Sequence, residues 1–185
     1  KYIATEKIRL KISSGLYSQN ILSTTSDRDV VNLFTGIISS PEAIPNQGDG
    51  TPYKNKFQKA RHLISGLEYD LSNIIDVQIE GYIKDFTQLT NINRNMTTNN
   101  AIDQFIIESG ISKGVDILVK YKGKKLYVWT VYSLAKITRN DGQNTYSPHF
   151  DRKHNINFVA SYKFGKNESW KADIRWNLGS GFPFT

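Results

Sequence analysis

Three side chains that lie close together in the sequence could ligate a metal ion. His149, Asp151 and His154 supply two imidazoles and a carboxylate, a donor set that suits divalent metals. Alternate residues of an extended chain point to opposite faces, however, which separates His154 from the other two. The competing interpretation is that Pro148 begins a turn, that Asp151 and Arg152 pair or cap it, and that His154 opens a strand. We therefore predict no metal site and no cofactor.

Two carboxylates, Glu68 and Asp70, could act as general acid and base if they were buried side by side. They share the polar side of an alternating segment, where an ion-pair network is the competing interpretation. The basic residues we expect as partners are Lys84, Lys163 or Arg175. The chain contains no cysteine, which excludes a thiol nucleophile, a thiolate metal site and a disulfide framework. The sequence therefore predicts that the protein is not an enzyme.

Alternation of apolar and polar residues, rather than a helical period, dominates the chain and predicts strands. Seven segments are predicted as strands: 7–17, 63–71, 75–83, 115–121, 126–137, 156–164 and 170–178. The segment 126–137 is apolar on both faces, so its register stays open.

The connections between these strands alternate strictly between long and short. Long ones cover about residues 18–61, 85–112 and 138–154, the first with a short helix near 29–34, and tight turns separate the other strands. In an up-and-down sheet this places all long connections on one edge and all tight turns on the other. Outer-membrane barrels have that asymmetry. Aromatic residues beside the tight turns would form an interfacial girdle on the apolar face: Tyr69, Tyr121, Tyr127, Phe164 and Trp170.

The predicted fold class is all-β, an antiparallel up-and-down transmembrane β-barrel segment of about seven strands. Six apolar residues are predicted to face lipid: Trp170, Ile174, Trp176, Val115, Ile117 and Val119. Six polar residues are predicted to face the lumen: Lys171, Asp173, Arg175, Asn177, Glu68 and Asp70. Seven strands cannot close as a bacterial barrel, because such barrels have an even strand number. We expect the chain to be part of a larger barrel.

Overall charge and composition narrow the possible partners. The chain of 185 residues has 24 Lys and Arg against 17 Asp and Glu, a net charge of +7, but the basic residues are scattered and follow no nucleic-acid-binding motif. No run approaches the roughly 20 apolar residues of a transmembrane helix. Because the sequence begins Lys1-Tyr2-Ile3, without Met or a signal segment, we expect a processed or excised piece.

Five stretches in order carry a resemblance to a known family. They are Gly-Leu-Tyr-Ser-Gln-Asn at 15–20, Ile-Glu-Gly-Tyr-Ile-Lys-Asp-Phe-Thr-Gln-Leu at 79–89, Gly-Val-Asp-Ile-Leu-Val-Lys at 114–120, Pro-His-Phe-Asp-Arg-Lys-His-Asn at 148–155 and Asn-Leu-Gly-Ser-Gly-Phe-Pro-Phe-Thr at 177–185. Together they resemble the barrel domain of TonB-dependent outer-membrane receptors of the Bacteroidota type. The resemblance covers essentially the whole chain.

The resemblance implies a barrel of about 22 strands, of which residues 1–185 are a part without the plug domain. It implies a location in the outer membrane of a Gram-negative bacterium and import of a scarce ligand, whether siderophore, cobalamin, oligosaccharide or peptide. Outer-membrane lipid, the rest of the barrel, the plug and the TonB complex would be its partners, with a surface lipoprotein lid as a further one. No residue is assigned to ligand binding.

Two other functions remain open from the residues alone. One is a soluble β-barrel or sandwich that binds a ligand or protein, in which the apolar faces would turn inward. The other is a structural or secretion-associated outer-membrane barrel without ligand uptake.

Overall fold

The computed structural model describes residues 1–19, 21–23, 37–39, 57–92 and 105–183. The described residues form an all-β structure, and one turn of 3-10 helix, Lys166–Glu168, joins its last two strands. The strands are β1 (Tyr2–Ile3), β2 (Ile8–Gln19), β3 (Ile21–Ser23), β4 (Ile37–Ser39), β5 (Gln58–Ser72), β6 (Ile75–Ile92), β7 (Phe105–Lys122), β8 (Leu126–Asn140), β9 (Thr145–Tyr146), β10 (His154–Phe164) and β11 (Trp170–Gly179). No helix among the described residues has the length and hydropathy of a membrane span.

Nine strands form one antiparallel sheet. Eight of them follow the order β1-β2-β5-β6-β7-β8-β10-β11, and the ninth, β9, pairs with Arg139 and Asn140 at the C-terminal end of β8. Strands β3 and β4 form a separate pair. The seven long strands follow one another as neighbours, so the sheet is up-and-down, as predicted. Within the described residues, β1 and β11 end the sheet and do not pair with each other. The arrangement is consistent with a segment of a β-barrel.

All seven predicted strands are present and joined in the predicted order, with tight turns at the predicted places. The predicted long connection 85–112 is wrong, because residues 85–92 belong to β6 and residues 105–112 to β7. The apolar alternation fades beyond Phe86, but the backbone ladder continues from Leu89 opposite Glu108 to Ile92 opposite Phe105. Backbone hydrogen bonds need no particular side chains, so the sequence pattern misses this extension. The helix predicted near 29–34 lies outside the described residues.

A β-bulge interrupts this ladder. On β7 two steps separate Gly110 from Glu108, whereas on β6 three steps separate their partners Phe86 and Leu89. One residue of β6 is therefore extra, and the side-chain parity of the strand is reversed beyond it.

The pairing also settles the register of β8. Tyr132 lies opposite Ile117 on one side and Ile156 on the other, whereas Val131 lies opposite Leu118 and Asn157. Even-numbered residues of β8 therefore share a face with the apolar residues of β7 and β10.

One aromatic residue of the predicted girdle lies on the other face. Tyr127 is opposite Lys122 and Ser161, both on the polar side of the sheet, so its prediction is wrong. The tight turn after β7 fixes this register, and a shift of one residue would have reversed it. Tyr69, Tyr121, Phe164 and Trp170 share the apolar side.

We predict that the extension of β6 and β7, with its bulge, can be trapped by cysteine pairs in this cysteine-free chain. Thr90→Cys with Ile107→Cys should form a disulfide under mild oxidation, because the two residues are direct cross-strand partners. The matched control pairs Thr90→Cys with Ile106→Cys, the partner that an unbulged ladder would supply. Gel mobility with and without reductant measures the yield, and preferential cross-linking of the control pair would contradict the bulge.

Candidate functional site

One side of the sheet, here called the apolar face, carries aliphatic and aromatic side chains across all seven long strands. One row of cross-strand partners on this face runs across all seven strands through Leu10, Leu67, Ile79, Ile117, Tyr132, Ile156 and Leu178. All six residues predicted to face lipid lie on this side. Trp170 is 66% exposed and Ile174 is 63% exposed, so the described residues do not cover these two side chains.

The apolar face is large. The 11 residues of β10 span about 33 Å at about 3.3 Å per residue. Seven strands spaced about 4.8 Å apart make the face about 29 Å wide, or roughly 1,000 Å² in projected area. Near the last tight turn it ends in an aromatic cluster, in which the rings of Phe164 and Trp170 are 6.4 Å apart and those of Tyr162 and Phe164 are 6.2 Å apart.

The opposite side, here called the polar face, carries most of the charged side chains of the same strands. The adjacent row on this face runs through Arg9, Glu68, Gln78, Leu118, Val131, Asn157 and Asn177. All six residues predicted to face the lumen lie on this side. The alternation in the sequence thus separates two chemically different faces, and the register lines them up from strand to strand.

An ion-pair network joins β2 and β5 on the polar face. The Arg9 guanidinium donates to Glu68 Oε2 at 2.8 Å and to both carboxylate oxygens of Asp70, in one case at 2.6 Å. Lys11 also pairs with Glu68, and the Lys1 ammonium lies 3.3 Å from the same carboxylate. Glu68 is only 8% exposed, so these cations offset the cost of burying its charge.

The network exists, but its predicted partners are wrong. Glu68 and Asp70 pair with cations of β2 because the register places Arg9 directly opposite Glu68. Lys84 lies further along β6, opposite His62. Lys163 and Arg175 are on β10 and β11, at the other end of the sheet.

Asp173, at that other end, has its own partners. The Lys171 ammonium lies 3.0 Å from its carboxylate, and the Ser161 hydroxyl donates to the same carboxylate oxygen. Lys163 lies 3.8 Å from Glu168 in the following turn. Acidic residues at both ends of the polar face are therefore held by neighbouring cations or hydroxyls.

A buried carboxylate on the polar face of β7 was not among the predicted site residues. Glu108 is 3% exposed and accepts hydrogen bonds from Tyr146 at 2.7 Å and from Asn91 at 3.1 Å. The Arg139 guanidinium lies 3.6 Å from its other oxygen. Asn91 reaches this cluster because the bulge reverses the parity of β6. The sequence carries no signal for it, since the strand extensions and the bulge must be known first.

The candidate metal ligands make other contacts. The His154 Nδ1 atom and the Tyr132 hydroxyl are 2.8 Å apart in a hydrogen bond. Asp151 is buried, accepts the Ile137 amide proton at 2.9 Å and donates its own amide proton to the Pro148 carbonyl. The Asp151 backbone closes a turn that begins at Pro148, and His154 begins β10, as the competing interpretation predicts. The Asp151 side chain binds β8 instead of capping that turn. No group of three metal-binding side chains occurs in the part of the chain that the structure describes.

The turn between β8 and β9 contains a carboxylate that binds backbone amides. Asp141 accepts the amide protons of Asn144 at 2.6 Å and Gln143 at 2.8 Å. These bonds favour its charged form and hold its pKa below the ordinary value. The turn is therefore stabilised above the ordinary aspartate pKa, and this contribution is lost as the pH falls through the lowered one.

Replacing Glu108 by alanine should destabilise the protein by about 1–3 kcal/mol, because Tyr146, Asn91 and Arg139 would lose their common acceptor. Denaturant titration of the purified protein measures the change. The matched control is Glu168→Ala, which removes an exposed ion pair and should change the free energy of unfolding by less than about 0.5 kcal/mol. Equal effects of the two substitutions would contradict a stabilising role for the Glu108 cluster.

The chain was compared with family models, curated proteins and solved structures. No family model matches it, and no curated protein and no solved structure is significantly similar to it.

Proposed function

We propose that this chain forms part of the wall of an outer-membrane active transporter of the TonB-dependent receptor type. Its long strands would span the membrane with the apolar face toward lipid and the polar face toward the lumen and plug. The observation that carries the proposal is the exposed apolar face, which runs without interruption across seven neighbouring strands.

The height of the apolar face supports a membrane location. Barrel strands tilt by about 40° in the membrane, so a strand of about 33 Å covers about 25 Å along the membrane normal. This equals the height of the apolar band on outer-membrane barrels. The area of roughly 1,000 Å² is also above the roughly 300–600 Å² of the largest apolar patch on a typical soluble monomer. A soluble binding module would instead enclose Trp170 and Ile174.

The polar face supports a lumen on the other side. Charged side chains are costly in hydrocarbon. In the strands between the tight turns and the row of Ser65, Gly81 and Val115, the Lys, Arg, Asp and Glu residues all lie on the polar face. Glu68, Asp70 and Glu108 are held in ion pairs and hydrogen bonds. In the proposed barrel these networks would stiffen the wall, and Lys171, Asp173, Arg175 and Asn177 would line the interior.

The connections and the resemblance support the receptor type. Tight turns lie at one edge of the sheet and the longer connections at the other, as in barrels with short periplasmic turns and long extracellular loops. The quoted stretches of β6 and β7 lie within long strands, residues 148–155 lead into β10, and residues 177–185 begin at the end of β11. In such a receptor, external loops capture a scarce ligand and the inner-membrane complex powers displacement of the plug.

The orientation of the wall is tested by placing one lysine on each face of β10. Phe158→Lys should cost about 2–4 kcal/mol of folding free energy in lipid, because the lysine would meet hydrocarbon near the middle of the bilayer. The matched control Asn157→Lys puts the same side chain on the polar face one residue away and should cost little. Folding of the full protein into lipid vesicles, followed by heat-dependent gel mobility, measures both. Equal tolerance at the two positions would overturn the orientation.

The transport role is tested on the native protein. Purification from outer membranes should recover this sequence together with a plug-bearing sequence, in the same polypeptide or in a tightly bound one. A surface lipoprotein in the same preparation would identify the lid. Recovery of a barrel free of any plug sequence would contradict ligand uptake and favour a structural or secretion-associated barrel.

A further inference from the structure

The apolar face contains a groove of about 730 Å³ that runs across several strands. Ser65 and Gly81, which are cross-strand partners, form its shallow floor. The larger side chains Leu63 and Ile83, partners in the next row, line it on one side. A Cβ atom added to Gly81 would meet no atom within 4 Å, so the space above this glycine is open. The groove has the volume and the largely aliphatic lining that suit a hydrocarbon chain.

Three exposed lysines also line the groove. Lys113 and Lys136 are direct cross-strand partners on the apolar face. Lys153 lies beside them, because its carbonyl accepts the amide proton of Ala135 at 2.9 Å. Like charges directly opposite each other destabilise a sheet unless something neutralises them. None of the three forms an ion pair with a carboxylate among the described residues.

The apolar face itself does not supply the missing negative charge. Among the described strand residues of this face, the acidic one is Asp85, and its cross-strand partner is the cation Arg61. The lysines therefore leave an excess of positive charge beside an aliphatic groove. Positive charge at one end and hydrocarbon along the rest are together complementary to a lipid with an anionic head group.

We propose that Lys113, Lys136 and Lys153 bind the phosphate of an outer-leaflet glycolipid, one of whose acyl chains lies in the groove over Ser65 and Gly81. The inference rests on the proposed function. If the strands span the outer membrane with their long connections outside, these lysines stand at the outer edge of the apolar face. The lipids of that leaflet carry phosphate on an acylated sugar, so lipid A is the occupant to which the proposal commits.

The test measures binding of fluorescent lipid A to the purified full-length protein in detergent. Replacing the three lysines by glutamine should weaken binding about a hundredfold, because each lysine near an anionic lipid surface contributes about a factor of five. Replacing Gly81 by isoleucine should fill the groove and weaken lipid A binding about tenfold. This is the effect expected when two methylene groups of the acyl chain are no longer buried. Dephosphorylated lipid A should bind the unaltered protein as weakly as lipid A binds the triple variant.

The matched control changes three exposed lysines at the tight-turn edge, Lys124, Lys125 and Lys166, to glutamine. It removes the same total charge and should leave lipid A binding within about twofold of the unaltered protein. Equal binding by the two triple variants would overturn the site. Equal binding of phosphatidylglycerol and lipid A by the unaltered protein would overturn the glycolipid as its occupant.

A separate readout distinguishes failure of this inference from failure of the proposed function. The triple variant and Gly81→Ile are expected to fractionate with outer membranes and to keep the heat-dependent gel mobility of a folded barrel. If the unaltered protein behaves as a folded membrane barrel but does not bind lipid A in preference to other lipids, the lipid site is overturned and the proposed function is not. A protein that is recovered without detergent in the soluble fraction would overturn the membrane barrel as well.

Discussion

The cross-strand hydrogen bonds of the sheet determine to which of two faces each strand residue sends its side chain. A displacement of one residue along a strand would exchange the faces completely. In this protein one row of apolar partners runs from Leu10 to Leu178, and the adjacent row on the other side runs from Arg9 to Asn177. Two chemically different surfaces separated by the thickness of one sheet follow from this single constraint.

The polar networks depend on the same constraint. Arg9 meets Glu68 because the register of β2 and β5 makes them partners, although 59 residues separate them in sequence. Tyr146 meets Glu108 because the short strand β9 folds back along β8. Glu68 and Glu108 thus have cationic or hydrogen-bonding neighbours on adjacent strands, which offset the cost of burying their charges.

The sequence predicts a large part of this structure. Strong alternation, as around Trp176, identifies strands and faces, because a sheet with one apolar face requires a period of two. It fails where the pattern carries no such information. The segment around Trp129 is apolar on both sides, so only the pairing shows which side it joins. The ends of β6 and β7 beyond the bulge are paired by backbone hydrogen bonds without an alternating pattern of side chains. The partners of Glu68 come from a strand that is distant in sequence.

The bulge between Phe86 and Leu89 divides β6 into two stretches with opposite parity. Odd-numbered positions supply the apolar face before it, at Val77 and Ile79, whereas beyond it the odd-numbered Asn91 joins the buried Glu108. The one extra residue thus reverses which face the odd-numbered side chains of β6 point to. A substitution at an odd-numbered position beyond Leu89 therefore alters the opposite face of the sheet from a substitution at an odd-numbered position before Phe86.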